Sequence, residues 1–271
     1  MTTRTPLHAT KLPFSIWVQA IYLVVTSSKG ISSVVMSRLL GVTQATAWRL
    51  GHAIRTMMDD RDGAPLSGIV EIDLKYLGDA PKHRRDGQKA KRGKETLKPR
   101  VLIAVQRDDR MRARVVPSEK AEDIRAALTD MVADSATAYS DKDQTFLNVI
   151  KTFGMGHETV VHSAKEFVRG EVHSNTADGI GSMLERARIG VWHRMSQQHL
   201  QRYIDEVGFR WNCRLKREHI SKSGRRRRVI TTIPLADMLL RLLKPAIGRQ
   251  IRRTENFGFI VLPSSLPVVA G

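Results

Sequence analysis

The chain has a single cysteine, Cys213, in 271 residues, which excludes an internal disulfide framework and any cysteine-based zinc module. No apolar run approaches the ~20 residues of a membrane span. The opening stretch MTTRTPLHATKLPFS lacks the apolar segment of a signal peptide, so the expected location is cytoplasmic. Acids are scarce: 27 Asp and Glu stand against 45 Lys and Arg, a formal net charge of +18. A surplus of that size bears on partners rather than on fold, and nucleic acid is the commonest partner of a soluble basic chain. Hydrophobic residues at 41% suffice for a core, and the length suits one large domain or two modest ones.

The positive charge comes in blocks. Nine basic residues lie between Ala80 and Arg100, Lys89, Lys91 and Arg92 among them, against the acids Asp86 and Glu95. Eight more, including Arg225 and Arg226, lie between Arg214 and Arg228 against Glu218. Neither block has apolar periodicity and both carry glycine, so both read as loops whose side chains can neutralise phosphates. A membrane-surface role would need a basic amphipathic helix, which neither block forms.

Ahead of these blocks the pattern is helical. Ser15 to Ser27 reads as a first helix, broken by Ser28-Lys29-Gly30, and Ser32 to Leu40 as a second. Gly41-Val42-Thr43 makes a short turn, and Gln44 to Met58 reads as a third helix capped by Thr43. Two short helices joined by a glycine-containing turn match the helix-turn-helix pattern. On that reading Gln44, Thr46 and Arg49 face DNA, while Ala47 and Trp48 pack inward.

After Gly63-Ala64-Pro65 the period changes to two. Ile69, Glu71, Asp73 and Lys75 fall on one face of a strand, and Val70, Ile72, Leu74 and Tyr76 on the other. Strands at Arg100 to Gln106 and Arg112 to Pro117 follow, then a helix from Ala121 to Ala133 and a short strand from Ala136 that stops at Asp141. This order makes an α+β or mixed α/β domain. Asp73 sits mid-strand among apolar residues and Asp141 at a strand end, where a carboxylate is costly unless paired or metal-bound. Asn175 and Asp178 open a later helix, three apart and so on one face. Their alternative role is helix capping, with Asn175 as the cap.

Together these residues resemble a known group. The segment from His157 to Arg214, with its His173-x-Asn175-Thr176-x-Asp178-Gly179 phrase, Ile189-Gly190 and His199-Leu200-x-Arg202-Tyr203, closely resembles the catalytic segment of ISXO-like insertion-sequence transposases. The stretches Val70 to Gly78 and Ala138 to Asp141 look like the first two acidic strands of that DDE-type group, and Trp17 to Arg55 is similar to its helix-turn-helix region. The resemblance spans residues 12 to 215. It implies a helix-turn-helix bundle followed by a ribonuclease H-like mixed sheet flanked by helices. The implied division is 1–66 for DNA binding, 67–215 for catalysis and 216–271 for a basic linker with a helical tail.

By motif position the resemblance makes Asp73, Asp141 and Asp178 the metal-binding acids, with Asn175 as a further catalytic residue. His162 and His173 become substrate contacts or supports behind the site. It also implies Mg²⁺, two ions with Mn²⁺ as substitute, and a homo-oligomer acting on DNA at the nucleoid. The implied chemistry is hydrolysis at element ends followed by 3′-hydroxyl attack on target DNA. The chain departs from the group at Leu74, at Asp178 in place of Glu, at Glu185 in place of a basic residue, and in lacking a cysteine zinc ribbon. Two rivals stay open: a nuclease of the same fold without strand transfer, and a catalytically degenerate DNA-binding regulator. If the basic block clamps DNA, replacing Lys89, Lys91 and Arg92 with alanine flattens the salt dependence of DNA binding. An unchanged slope in a binding titration removes that role.

Overall fold

A computed structural model describes residues 2–77, 98–107, 109–141, 149, 156–160, 175–220, 226–253 and 259–261. For Asp141 and a few other strand residues it describes the backbone alone. The chain divides into two compact units, Met1–Asp59 with Asp205–Gly271, and Asp60–Ile204.

The first unit opens with three helices: α1 (Phe14–Thr26), α2 (Ser33–Leu40) and α3 (Gln44–Met57). Side chains cap the second and third, since Ser32 Oγ accepts from Val35 N and Thr43 Oγ1 from Thr46 N. Gly41 closes α2 at φ +64°, a conformation that suits glycine because it has no Cβ. Ala47, Leu50, Ile54 and Met57 turn toward the core at helical spacing and meet Trp17, Val24 and Met36. Trp48 does not join them: it sits half-buried beside that stripe, its ring edge-on to His52 at 4.4 Å. One step of 100° along α3 carries it from the buried face to its margin.

Residues after Asp205 complete this core with Phe209, Cys213, Ile233, Met238 and Leu242. They come from the C-terminal half of α6 (Leu200–Asn212), from α7 (Leu235–Leu243) and from the segments beside them. Glu206, with no exposed surface, accepts from Arg55 Nε at 2.5 Å and pairs with Arg210. Burial opposes its charge, but the two guanidinium groups hold its carboxyl below the usual range. The Cys213 thiol is buried and pushed up to about 11 by that burial, which leaves it inert as a nucleophile. Where it is described, the basic block from Arg214 is strand rather than loop. It forms an antiparallel hairpin of β6 (Arg214–Ile220) and β7 (Arg226–Thr232), because a backbone ladder needs no apolar periodicity in its side chains.

The second unit is a five-stranded sheet of order β3-β2-β1-β4-β5. Its strands are β1 (Ile69–Tyr76), β2 (Arg100–Gln106), β3 (Met111–Val116), β4 (Thr137–Asp141) and β5 (Gly156–Val160). The first three are antiparallel neighbours, while β4 runs parallel to β1, and β5 parallel to β4. Helix α4 (Ala121–Met131) covers one face: Ile124, Leu128 and Met131 pack with Val70, Ile72, Leu102, Ala104 and Ala138. Helix α5 (Asn175–Ala187) packs against β1 and β2. A mixed sheet of this order flanked by helices has the form of the ribonuclease H-like fold.

Two arginines of this unit, Arg112 and Arg114, are structural. Arg112, almost wholly buried, donates to the carbonyls of Asp60, Arg61 and Asp130, and Arg114 pairs with Asp60 and Asp130. His199, 4% exposed, receives a hydrogen bond at Nδ1 from Arg202, which can only donate, so the ring is neutral. Burial, and next the Arg202 charge, lower its pKa to about 4. The unfolded chain then binds more protons than the folded one between pH 4 and 6.5. His199 therefore contributes stability that is present above pH 6.5 and lost as pH falls toward 4. The unfolding midpoint is expected to fall across that window, less steeply in His199→Gln, as followed by circular dichroism; identical slopes would contradict it.

Candidate functional site

Alternation along β1 sets the site. Val70 and Ile72 point into the α4 core, so Glu71, Asp73 and Lys75 take the opposite face, toward α5. Glu71 is fully buried. Its Oε2 accepts from the backbone N–H groups of Thr176 at 2.8 Å and Ala177 at 3.3 Å, and its Oε1 from Thr176 Oγ1 at 3.1 Å. Arg107 Nη2 adds a contact at 3.5 Å. The first N–H groups of a helix have no partner inside it and carry partial positive charge, so a carboxylate here both satisfies and attracts them. The capping that sequence assigned to Asn175 thus falls to a residue about a hundred positions earlier.

Asp73 and Asp178 meet around one cation. Lys75 Nζ lies 3.1 Å from Asp73 Oδ2 and 2.8 Å from Asp178 Oδ1. Asp73 Oδ1 accepts from Leu74 N at 2.9 Å. Its Oδ2 is buried and, apart from the Lys75 ion contact, has no hydrogen-bond partner. Burial first, and then repulsion from Asp178, raise the Asp73 carboxyl above the ordinary aspartate range, against the lowering pull of Lys75. For Lys75, burial works to lower the pKa, but the contacts with Asp178 and Asp73 outweigh it and the net shift is upward.

Asp141 ends β4. The parallel register pairs Ile72 with Ser140, so the Asp141 backbone follows beside that of Asp73. Asn175 stands exposed at the first position of α5, with no hydrogen bond to Asp73 or Asp178. Among the described residues no three acidic, histidine or cysteine side chains form a metal-binding group. Glu185 is tied to Arg188, whose Nη2 lies 2.5 Å from its Oε1. Trp192 packs on Tyr203 with ring centroids 4.8 Å apart.

The remaining expected contacts are scattered. In the first unit Gln44 is exposed and donates to Ser33 Oγ at 2.8 Å. Thr46 and Arg49 border a cleft also lined by His8, Lys11 and Trp17. Arg226 is exposed at the start of β7. Lys89, Lys91, Arg92, His162, His173 and Arg225 lie outside the described residues.

Sequence reasoning missed Glu71 and Lys75 as parts of this site, although both share the strand face of Asp73. The signal was the run of three polar residues at alternate positions, where one would suffice for a solvated strand. Glu71→Ala is expected to lower the free energy of unfolding by about 3 kcal/mol, because two backbone donors and Arg107 lose a buried partner. Denaturant titration measures it, and a loss under 1 kcal/mol would mean that Glu71 does not hold α5.

Comparison with known proteins agrees with this architecture. Residues 65–212 match the family model described as the ISXO2-like transposase domain. The chain is also 27% identical over 223 residues to an uncharacterised protein in transposable element ISH50 of Halobacterium salinarum, across 77% of this chain and 71% of that one. No helix among the described residues is long and apolar enough to cross a membrane. The matched segment takes in all five strands of the sheet and the helix that carries Asp178, and by it the chain belongs to the ISXO2-like transposase family.

Proposed function

We propose that this protein is a DDE-type insertion-sequence transposase that hydrolyses phosphodiesters at element ends and transfers the resulting 3′-hydroxyl into target DNA. The observation that carries the reading is the meeting of Asp73 and Asp178, from β1 and α5, on a single cation, with the Asp141 backbone on the adjoining strand.

A divalent cation fits these residues. The donors are all carboxylate oxygen, the class that Mg²⁺ and Mn²⁺ prefer, and the buried Asp73 Oδ2 already faces a cation, the Lys75 ammonium 3.1 Å away. Asp73, Asp141 and Asp178 would hold it, with Asn175 beside Asp178 as an orienting group. When bound, two such ions supply activation of the attacking oxygen and stabilisation of the leaving one. The chain's own part is placement: Glu71 fixes the end of α5, and with it the position of Asp178 against β1.

DNA is the partner in this reading. Gln44, Thr46 and Arg49 lie near the start of α3, the end from which a recognition helix reads bases in a helix-turn-helix. Lys89, Lys91, Arg92, Arg225 and Arg226 supply contacts to phosphates that carry no sequence information. Element ends and target are held by a homo-oligomer at the nucleoid. One observation favours a second reading, a DNA-binding regulator that does not cut: Lys75 already neutralises the Asp73–Asp178 pair.

Asp141→Asn is expected to bind element ends as the parent does and to lose cleavage by at least a hundredfold in Mg²⁺ or Mn²⁺, measured on labelled end fragments. A pre-cleaved end with a free 3′-hydroxyl is expected to yield joined product with the parent. Cutting without joining points to the nuclease, and no cutting by the parent points to the regulator.

A further inference from the structure

We propose that Lys75 is a resident cation of the carboxylate site, which a divalent ion must displace in order to bind. The proposal rests on the reading of Asp73 and Asp178 as metal ligands. The Lys75 ammonium stands between them, within 3.1 Å of one and 2.8 Å of the other. Two carboxylates brought together in a partly buried place repel each other unless a positive charge lies between them. In this chain that charge comes from the same strand as Asp73, two residues on.

The helix is shaped to admit it. Gly181 lies three residues after Asp178, on the same face of α5. A Cβ at Gly181 would fall 2.8 Å from both Cγ and Cε of Lys75 and 3.2 Å from its Cδ. The lysine stem therefore runs across the bare backbone of α5 to reach Asp178, and the missing side chain is what lets it pass. A surface salt bridge of no consequence needs no such groove, because a lysine free in solvent reaches a carboxylate from many directions.

A tethered ammonium lowers the affinity of the site for an external ion, since binding must first break two ion contacts. It also keeps the two carboxylates apposed when no ion is there. Lys75 thus sets the ion concentration at which the site fills, and once displaced its charge is available to a phosphate lying against the site.

Mn²⁺ binding to the full-length protein, read by the electron paramagnetic resonance of the free ion, tests this without any assay of activity. Lys75→Met is expected to bind Mn²⁺ at least tenfold more tightly than the parent, and Lys75→Arg no more tightly. Gly181→Ala keeps the charge but crowds the stem, and is expected to tighten binding by about threefold. Without metal, Lys75→Met is expected to melt at a lower temperature than the parent, and added Mn²⁺ to raise its melting temperature by more than it raises the parent's. Equal or weaker Mn²⁺ binding by Lys75→Met, with binding still abolished by Asp73→Asn, overturns the role of Lys75 and leaves the metal site standing. Binding that survives Asp73→Asn and Asp178→Asn overturns the metal site and this proposal with it.

Discussion

Glu71 has no exposed surface, yet its carboxyl oxygens meet the start of α5 and Arg107, both outside its own strand. A carboxylate is admitted to such a place only if donors replace the water it has lost. The end of α5 supplies them, because its first N–H groups have nothing else to bond to. The need is mutual, and it fixes the start of α5 against the middle of β1. Everything proposed for the site follows from that one contact. Asp178 is the fourth residue of the helix, within reach of Lys75, and Gly181 comes about one turn later, over the lysine stem.

Not all of the positive charge in this protein is available to a partner. The +18 surplus invites the inference that basic residues serve nucleic acid. Several of them do not. Arg55 and Arg210 neutralise Glu206 in the first unit; Arg112 and Arg114 bind carbonyls and carboxylates around β3 in the second. Arg55, Arg112 and Arg114 are buried, Arg210 is partly buried, and all four are engaged by acceptors within the protein. Guanidinium suits the task because its planar fork satisfies several acceptors at once. Exposed arginines such as Arg226 are the ones the proposed contacts with DNA can use.

How far the sequence could be read depended on how local each signal was. Alternation marked β1, strands β2 and β3 were placed to within a residue, and apolar spacing marked α2 and α3, the latter with Thr43 as its cap. The hairpin of β6 and β7 was hidden, because its strands are rich in charge and the apolar residues Leu215, Ile220, Val229 and Ile230 are too few to set a period. Trp48 was misplaced by one helical step. Asp73 and Asp178 could be named from their motifs, but what joins them could not. The Glu71 bond to Thr176 and the Lys75 bond to Asp178 each span more than a hundred residues. Contacts of that length leave no local pattern, and only the shared face of β1 hinted at them.

The proposed function requires Asp73, Asp141 and Asp178 to converge on one divalent-ion site. Its most direct test is a crystal of the protein soaked in Mn²⁺ and measured at the manganese absorption edge. The account predicts anomalous density bounded by oxygens of these three carboxylates, with the Lys75 ammonium moved off Asp178. Manganese bound elsewhere, or an Asp141 side chain turned away from the other two, would contradict it.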